Sequence, residues 1–485
     1  MSSNASWLAD PKWINAAKLV YRLSETNKFV FTVEPLCRLR TNCLPLAFAH
    51  LATIDEDPYA VVAPKDDIDM LPLAWIRHIE KLHIQYADDV FFAATTRQTL
   101  ATISTVDDIR KEMGYCLERC TKVLNGIRVR ADRLLDGDIG IPRDVPYCLI
   151  VNAALADNVG EVLLAKSAIR LLNEAAPHLR CIVADPDVDR TIVANASLVI
   201  IGPGGMLYDL DDHDGLSINL SNISSYFRIG FLAREYGIPY GVLGAGCPAA
   251  ITSRLSKIFL QEALRDAKFI HLRDSLSLAS VSDAIRLQSP TIVAPDVSIV
   301  FQDEIAKITQ EPFQQKLMIA CGSFNVKSIA EISHRCDMAL RIVIQATEDL
   351  AWLKENQSEL TALVPSVEIV DVHQAPISAL FKAVASGDCL LSTRFHAMMI
   401  GIMAGLETVA VGVRDDKRHR VKQELRDKVK LTFIDSRVTS DNEFISLCCG
   451  QFMNGKRSQQ DPGYSAEDLA GLRQLLRTAT ISVKM

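Results

Sequence analysis

From residue 147 onward the chain alternates short, wholly apolar runs with longer segments of helical periodicity. Few folds accept that pattern. Strands that are apolar on both sides must be covered on both faces, and strand–helix alternation connects them in parallel. Strands are expected at 147–152, 179–184, 196–201, 240–243, 269–272 and 291–294, with helices at 159–175, 222–236 and 254–265. A second series follows, with strands at 317–321, 368–372, 389–392 and 408–413, the last clear one. Its helices are expected at 358–363, 377–386 and 396–404, and 337–344 reads as a helix or as a helix followed by a strand. Two such series predict an α/β protein with two Rossmann-like domains facing a cleft, at 146–305 and 306–440.

Residues 1–145 depart from this pattern and predict an additional N-terminal mixed α/β region of unknown role. Strand candidates stand at 28–33, 59–63 and 90–94. A helical run at 106–127 spaces Ile109, Met113, Leu117, Cys120 and Val123 along one face. Asp136-Gly137-Asp138 and the prolines between 142 and 146 read as a linker. At the other end, 441–485 reads as a helical tail whose final helix, 465–479, is opened by Ser465 with Asp468 three residues later.

Composition narrows the function classes. With 485 residues, 49% of them hydrophobic, the chain can bury large cores, and a net charge of -7 supplies no basic field for nucleic acid. The 12 cysteines are scattered, and neither Cys116/Cys120 nor Cys448-Cys449 is completed by a second ligand pair. Reduced, apolar thiols are therefore expected rather than a metal site. No basic segment followed by an apolar run marks the first 13 residues, and the apolar stretch 397–413 is interrupted by Glu407. The expectation is a cytoplasmic protein without a membrane span; peripheral membrane association and homo-oligomerisation stay open.

Chemistry concentrates in Thr393-Arg394-Phe395-His396, between an apolar strand and an apolar helix. Arginine suits phosphate and carboxylate through its planar fork, and histidine moves protons near neutral pH. A cation at a helix's positive end is better explained by a bound anion than by the helix itself. Arg273 also stands at the end of a strand, where a surface pair with Asp274 or a helix cap explains the sequence as well as ligand binding does. Gly202-Pro203-Gly204-Gly205 is either a tight turn or a loop that a ligand approaches, and Asp296 alone reads as a turn or cap residue. The charged stretch 414–430 reads as a solvated helix face, of which only Arg414 and Lys417 are placed to reach the cleft.

Taken in order, Asn158-Val159-Gly160-Glu161, Gly202-Pro203-Gly204-Gly205, Gly244-Ala245-Gly246, Leu272-Arg273-Asp274-Ser275, Pro295-Asp296 and Thr393-Arg394-Phe395-His396 resemble the polysaccharide pyruvyl transferase family, over 147–420. The resemblance implies a fold similar to the GT-B glycosyltransferases. It also implies transfer of pyruvate from phosphoenolpyruvate to a sugar-containing acceptor as a cyclic ketal, with no cofactor beyond that donor substrate. On this likeness Arg273 and Arg394 would hold the donor's phosphate and carboxylate, the backbone of Phe395 would position it, and His396 would act at the transferred group. Asn158, Glu161, Gly204, Gly205, Arg414 and Lys417 would line the cleft toward the acceptor. Glu161 stands where relatives usually have aspartate, and Arg414 where an aromatic residue is frequent, so an unusual acceptor is expected. The alternatives are a GT-B-type glycosyltransferase or epimerase using a nucleotide-sugar, or a non-catalytic relative kept for binding.

Overall fold

The computed structural model describes residues 10–96 except 34, 52–58, 73–74 and 77–81; 111, 113–114, 116–118 and 120–121; 145–208 except 155–157; 220–308; 316–454 except 365, 415 and 426–428; and 466–481. Three sheets organise them. The first belongs to the N-terminal region and joins β1 (Phe29–Thr32), β2 (Cys43–Pro45), β3 (Tyr59–Pro64), β4 (His83–Ala87) and β5 (Phe91–Thr95) in the order β2-β1-β3-β5-β4. It is mixed: β1 runs parallel to β2 and β3, and β5 runs antiparallel to β3 and β4.

Helix α1 (Pro11–Ser24), capped by Asp10, covers one face through Ala16, Leu19, Val20 and Leu23. Full burial of such side chains contributes roughly 1.5–3 kcal/mol for each large one. The region is welded to the next domain: Phe48 meets Phe259 at 4.9 Å, and His50 stacks on Phe231 and lies 3.5 Å from Glu235. Sequence patterning found β1, β3 and β5 but passed over β2 and β4. Those two are the sheet's edges, too short or too exposed to read as apolar runs. Of the helix expected at 106–127, the described residues between 111 and 121 are helical, and Met113, Cys116 and Cys120 are buried. Most of the expected linker lies outside the described residues.

The second sheet contains β6 (Tyr147–Val151), β7 (Arg180–Ala184), β8 (Leu198–Ile201), β9 (Tyr240–Ala245), β10 (Ile270–Leu272) and β11 (Thr291–Val293). They are parallel throughout, in the order β11-β10-β9-β8-β6-β7. Its main helices are α2 (Val159–Ala175), α3 (Leu220–Glu235), α4 (Arg254–Leu264) and α5 (Ser275–Ala284).

The third sheet, also parallel, contains β12 (Leu317–Cys321), β13 (Ala339–Ile344), β14 (Glu368–Asp371), β15 (Cys389–Ser392), β16 (Glu407–Gly412) and β17 (Leu431–Asp435) in the order β14-β13-β12-β15-β16-β17. Around it lie α6 (Val326–Cys336), α7 (Thr347–Leu363), α8 (Ile377–Ala385), α9 (Phe395–Met403), α10 (Lys417–Leu425) and α11 (Asp441–Asn454). Within 337–344 the structure forms the strand β13, and α6, which precedes it, was not anticipated. The last strand is β17, an edge strand with only two of five residues buried, rather than β16.

The expected architecture therefore stands: two Rossmann-like domains and an additional N-terminal mixed α/β region. In each parallel sheet the winding reverses beside the first strand, between β6 and β8 and between β12 and β15. Such reversals open a crevice at the carboxyl ends of the strands. The two crevices face each other closely enough that Val159 N–H donates to Gln345 O at 3.2 Å. One apolar cluster runs through both domains, including Leu163, Ile200, Val300, Phe381, Phe395 and Met399. The terminal helix α12 (Ala470–Ile481) joins that cluster through Leu472 and Leu476, and Arg473 bonds Glu174 of α2 at 2.9 Å. Ser465, the expected cap, lies outside the described residues. Among the described residues no helix is long and apolar enough to cross a membrane.

Candidate active site

Several loops at the carboxyl ends of these strands each deliver a piece of a site. After β6, Asn158 caps α2 by accepting from Gly160 N at 2.9 Å. After β8, the glycine loop is strapped to the end of β9 by Gly246 N donating to Gly204 O at 2.9 Å. Arg273 follows β10, Asp296 follows β11, Phe395 and His396 open α9, and Lys417 opens α10.

These side chains converge on one aromatic ring. The Arg273 guanidinium lies 5.1 Å from the Phe395 ring centre and the Lys417 ammonium 4.9 Å from it. Both distances suit cation–π attraction. The His396 ring stands edge-on to Phe395 at 5.2 Å. The fit leaves no room at two glycines: a Cβ on Gly160 would come within 2.4 Å of His396 Nδ1, and one on Gly246 within 2.3 Å of Arg273 Nε. Glu161 completes the group next to Gly204, where a Cβ would sit 3.6 Å from its Oε2.

Charge follows from burial. His396 is pushed down to about 3, first by burial and then by Lys417 and Arg273, against the pull of Asp296. Its imidazole is neutral at pH 7. Lys417 is lowered to about 8 by burial and Arg273, with Glu161 opposing. Burial also raises Glu161, while Lys417 and Arg273 act against that rise. For Asp296 burial opposes ionisation, while the Arg273 cation and the hydrogen bonds from Ser298 favour the carboxylate. Arg273 Nη1 is 3.9 Å from Asp296, an ion pair rather than a tight hydrogen bond. Two buried polar atoms of this cluster, Arg273 Nε and His396 Nε2, have no hydrogen-bond partner among the described residues. Unpartnered buried groups beside two cations make a site that an anion with several oxygens would satisfy.

The structure thus gathers Arg273, Phe395, His396, Lys417, Glu161, Gly204 and Gly205 around one cleft. Arg394 is placed differently. Its Nε and Nη2 bond Asp349 Oδ1 at 3.0 and 2.5 Å, and Nη2 also reaches Glu348 at 3.2 Å. Asp349 is buried and its other oxygen accepts from Gln345 N and Ala346 N, so this anchor is firm. Arg414 is exposed, with its N–H on Asp435 at 3.3 Å, and the Asn158 side chain is occupied by its cap.

Asp296 does cap the turn Val297–Phe301, as its sequence suggested, yet it also faces Arg273. The helix expected to be a solvated face carries Arg420, which is buried. Neither Asp349 nor Arg420 carried a local signal, since each acquires its partner from a distant loop. His271 is structural: buried, it accepts from Gly244 N through Nδ1 and reaches Ala294 O through Nε2, both at 3.0 Å. Burial lowers it to about 4, so it stays neutral in this clamp.

Comparison with known proteins places the chain. No curated protein sequence matches it. Among solved structures it is similar to the UDP-GlcNAc 2-epimerase of Methanocaldococcus jannaschii, at 9% identity over 69% of this chain and 99% of that one, with a TM-score of 0.45. The UDP-GlcNAc 2-epimerase from Neisseria meningitidis gives 10% identity, 68% and 99% coverage and a TM-score of 0.41. The ADP-heptose lps heptosyltransferase II of E. coli gives 9%, 63% and 98%, and 0.35. The model of the polysaccharide pyruvyl transferase family matches residues 158–415, which hold every member of the cluster except Lys417. That match spans more than half of the chain, and the protein belongs to the polysaccharide pyruvyl transferase family, a family of transferases.

Proposed function

We propose that this protein transfers the pyruvate group of phosphoenolpyruvate onto hydroxyls of a sugar-containing acceptor as a ketal, releasing phosphate. The observation that carries the reading is the convergence of Arg273 and Lys417 on Phe395, beside the unpartnered Nε2 of His396. Phosphoenolpyruvate presents a phosphate and a carboxylate, and two cations on one ring can neutralise and orient both. In this reading Arg394, whose Nε and Nη2 are held by Asp349 and Glu348, is secondary to Arg273 and Lys417 in holding the donor.

In the reaction carbon 3 gains a proton, carbon 2 becomes electrophilic, and an acceptor hydroxyl attacks it. Phosphate then leaves, and a second hydroxyl closes the ketal. The protons released by the two hydroxyls balance the one taken up by carbon 3 and the one carried off with phosphate. His396 is the acid for carbon 3. Burial and the two cations keep it neutral without donor. A donor anion lying between those cations offsets them and, together with Asp296, opposes the burial that disfavours a charged ring. Glu161, across the cleft by Gly204, accepts the proton of the attacking hydroxyl. Arg273 and Lys417 hold the charge that grows on the departing phosphate. The chemistry needs no redox or metal cofactor, and its donor and the protein's thiols suit the cytoplasm.

The test mixes the full chain with phosphoenolpyruvate and candidate glycans, following phosphate release and the mass gained by the glycan. Release coupled to glycan modification is expected. Phosphate release that is independent of any glycan, or turnover with nucleotide-sugars instead, would contradict the reading.

A further inference from the structure

Helix α10 carries Lys417, Arg420 and Glu424 at spacings of three and four residues, which place all three along one face. That face lies across the cleft, against the N-terminal Rossmann-like domain. Arg420 donates through Nη1 to Cys247 O and through Nη2 to Pro248 O at 3.2 Å, and Nη1 lies 3.8 Å from Asp274. One turn on, Glu424 accepts from both Ser275 N at 2.9 Å and Ser275 Oγ at 3.0 Å.

The two loops seized in this way are those that seat Arg273. Cys247 follows Gly246, against which the Arg273 guanidinium packs, and Asp274 follows Arg273 itself. The loops are also knitted to each other, because Ser277 Oγ accepts from Cys247 N at 2.9 Å while Ser277 N donates to Asp274 at 2.6 Å. On the near side, Arg418 donates to Thr393 O, in the loop that leads to Phe395 and His396. Helix α10 therefore grips the loops that carry both halves of the cluster. A charge as buried as Arg420 is costly unless fully bonded, and its planar fork serves two carbonyls at once.

We propose that Arg420 is a positioning residue, the bolt that joins the two Rossmann-like domains and holds Lys417 and Arg273 together on Phe395. Its kinetic consequence rests on the reading above; its structural consequence does not. The experiment measures amide hydrogen exchange and the pH profile of phosphoenolpyruvate turnover in full-length Arg420→Ala, Arg420→Lys and Glu424→Ala.

All three variants are expected to raise exchange on the order of 10-fold or more at 246–249 and 274–277, while β6 and β12 keep their protection. The alkaline limb of kcat/KM, set by Lys417 near 8 in the parent, is expected to move upward as Lys417 loses its buried seat. Arg420→Lys keeps the charge yet loosens the same loops, because one ammonium cannot reproduce the fork. If Arg420→Ala loses protection throughout, including β6 and β12, the other two variants decide the matter. Unchanged loop exchange in Arg420→Lys and Glu424→Ala would overturn the proposal, as would an unmoved alkaline limb. Loosened loops in a protein that never turns over phosphoenolpyruvate would leave the bolt standing and remove the substrate reading instead.

Discussion

Arg273 and Arg394 look alike in the sequence, each following an apolar strand and preceding a helix, and the structure gives them opposite surroundings. Arg273 lies 3.7 Å from Asp274 through Nε and 3.9 Å from Asp296 through Nη1, and its Nε has no hydrogen-bond partner among the described residues. Arg394 is held on Asp349 by two hydrogen bonds and on Glu348 by a third. The same residue type at the carboxyl end of a parallel strand keeps an unbonded Nε in one domain and is hydrogen-bonded to carboxylates in the other. What decides the difference is the neighbouring loop: β13 leads into an acidic turn at Glu348-Asp349, while β9 leads into Gly246. The second cation of the site is then Lys417, one strand further along the sheet.

The largest effect should therefore fall on Arg273. Arg273→Ala is expected to lower kcat/KM for phosphoenolpyruvate by about 1000-fold, whereas Arg394→Ala, whose charge is already shared, should lose about 10- to 100-fold. Steady-state phosphate release on both variants checks the order, and a larger loss in Arg394→Ala would reverse the comparison.

Removing the carboxylate that distinguishes the two arginines should cost stability as well as rate. Asp349→Ala strands a half-buried guanidinium and two buried backbone N–H groups, and a loss of about 3–5 kcal/mol is expected in denaturant unfolding. The matching change in the other domain, Asp274→Ala, removes looser ion pairs with Arg273 and Arg420 and also the cap of α5. It should cost less, about 1–2 kcal/mol.

The cations also differ in their response to pH. Arginine stays charged, but Lys417 loses its proton as pH rises through about 8. Donor capture should weaken above that pH, up to about 10-fold per unit in kcat/KM, and Lys417→Arg should flatten the limb. For folding the sign is reversed. Lys417 binds its proton less tightly in the folded state than at its ordinary value of 10.5, so its contribution to stability rises between about 8 and 10.5.

The smallest effect belongs to the helix starts. Asn158 caps α2, whereas Arg394 offers α9 no side-chain cap. Asn158→Ala is expected to cost about 1 kcal/mol, seen as a small fall in Tm.

Much of this was legible in the sequence, for physical reasons. Buried parallel strands must be apolar throughout, so β6, β8, β10, β12 and β15 announced themselves, and with the ends of β10 and β15 the places where Arg273 and His396 stand. Edge strands carry a weaker signal, which hid β2, β4 and β17. Long-range pairing carries none: Asp349 lies 45 residues before Arg394, and Arg420 meets Cys247 across 173 residues. A charge run such as 414–430 has the same composition whether its helix faces water or a second domain, so the inward turn of Arg420 had to be seen in space, while Lys417 was expected at the cleft from its place after a strand.

The central claim is that Arg273, Lys417 and His396 form one site for a small dianion that charges the histidine on arrival. Calorimetric titration with phosphoenolpyruvate at pH 7, in two buffers of different ionisation enthalpy, tests it most directly. Binding with uptake of up to about one proton is expected, with the uptake absent in His396→Asn and the binding lost in Arg273→Ala. Equal binding by the parent protein and Arg273→Ala, or binding with no proton taken up, would contradict it.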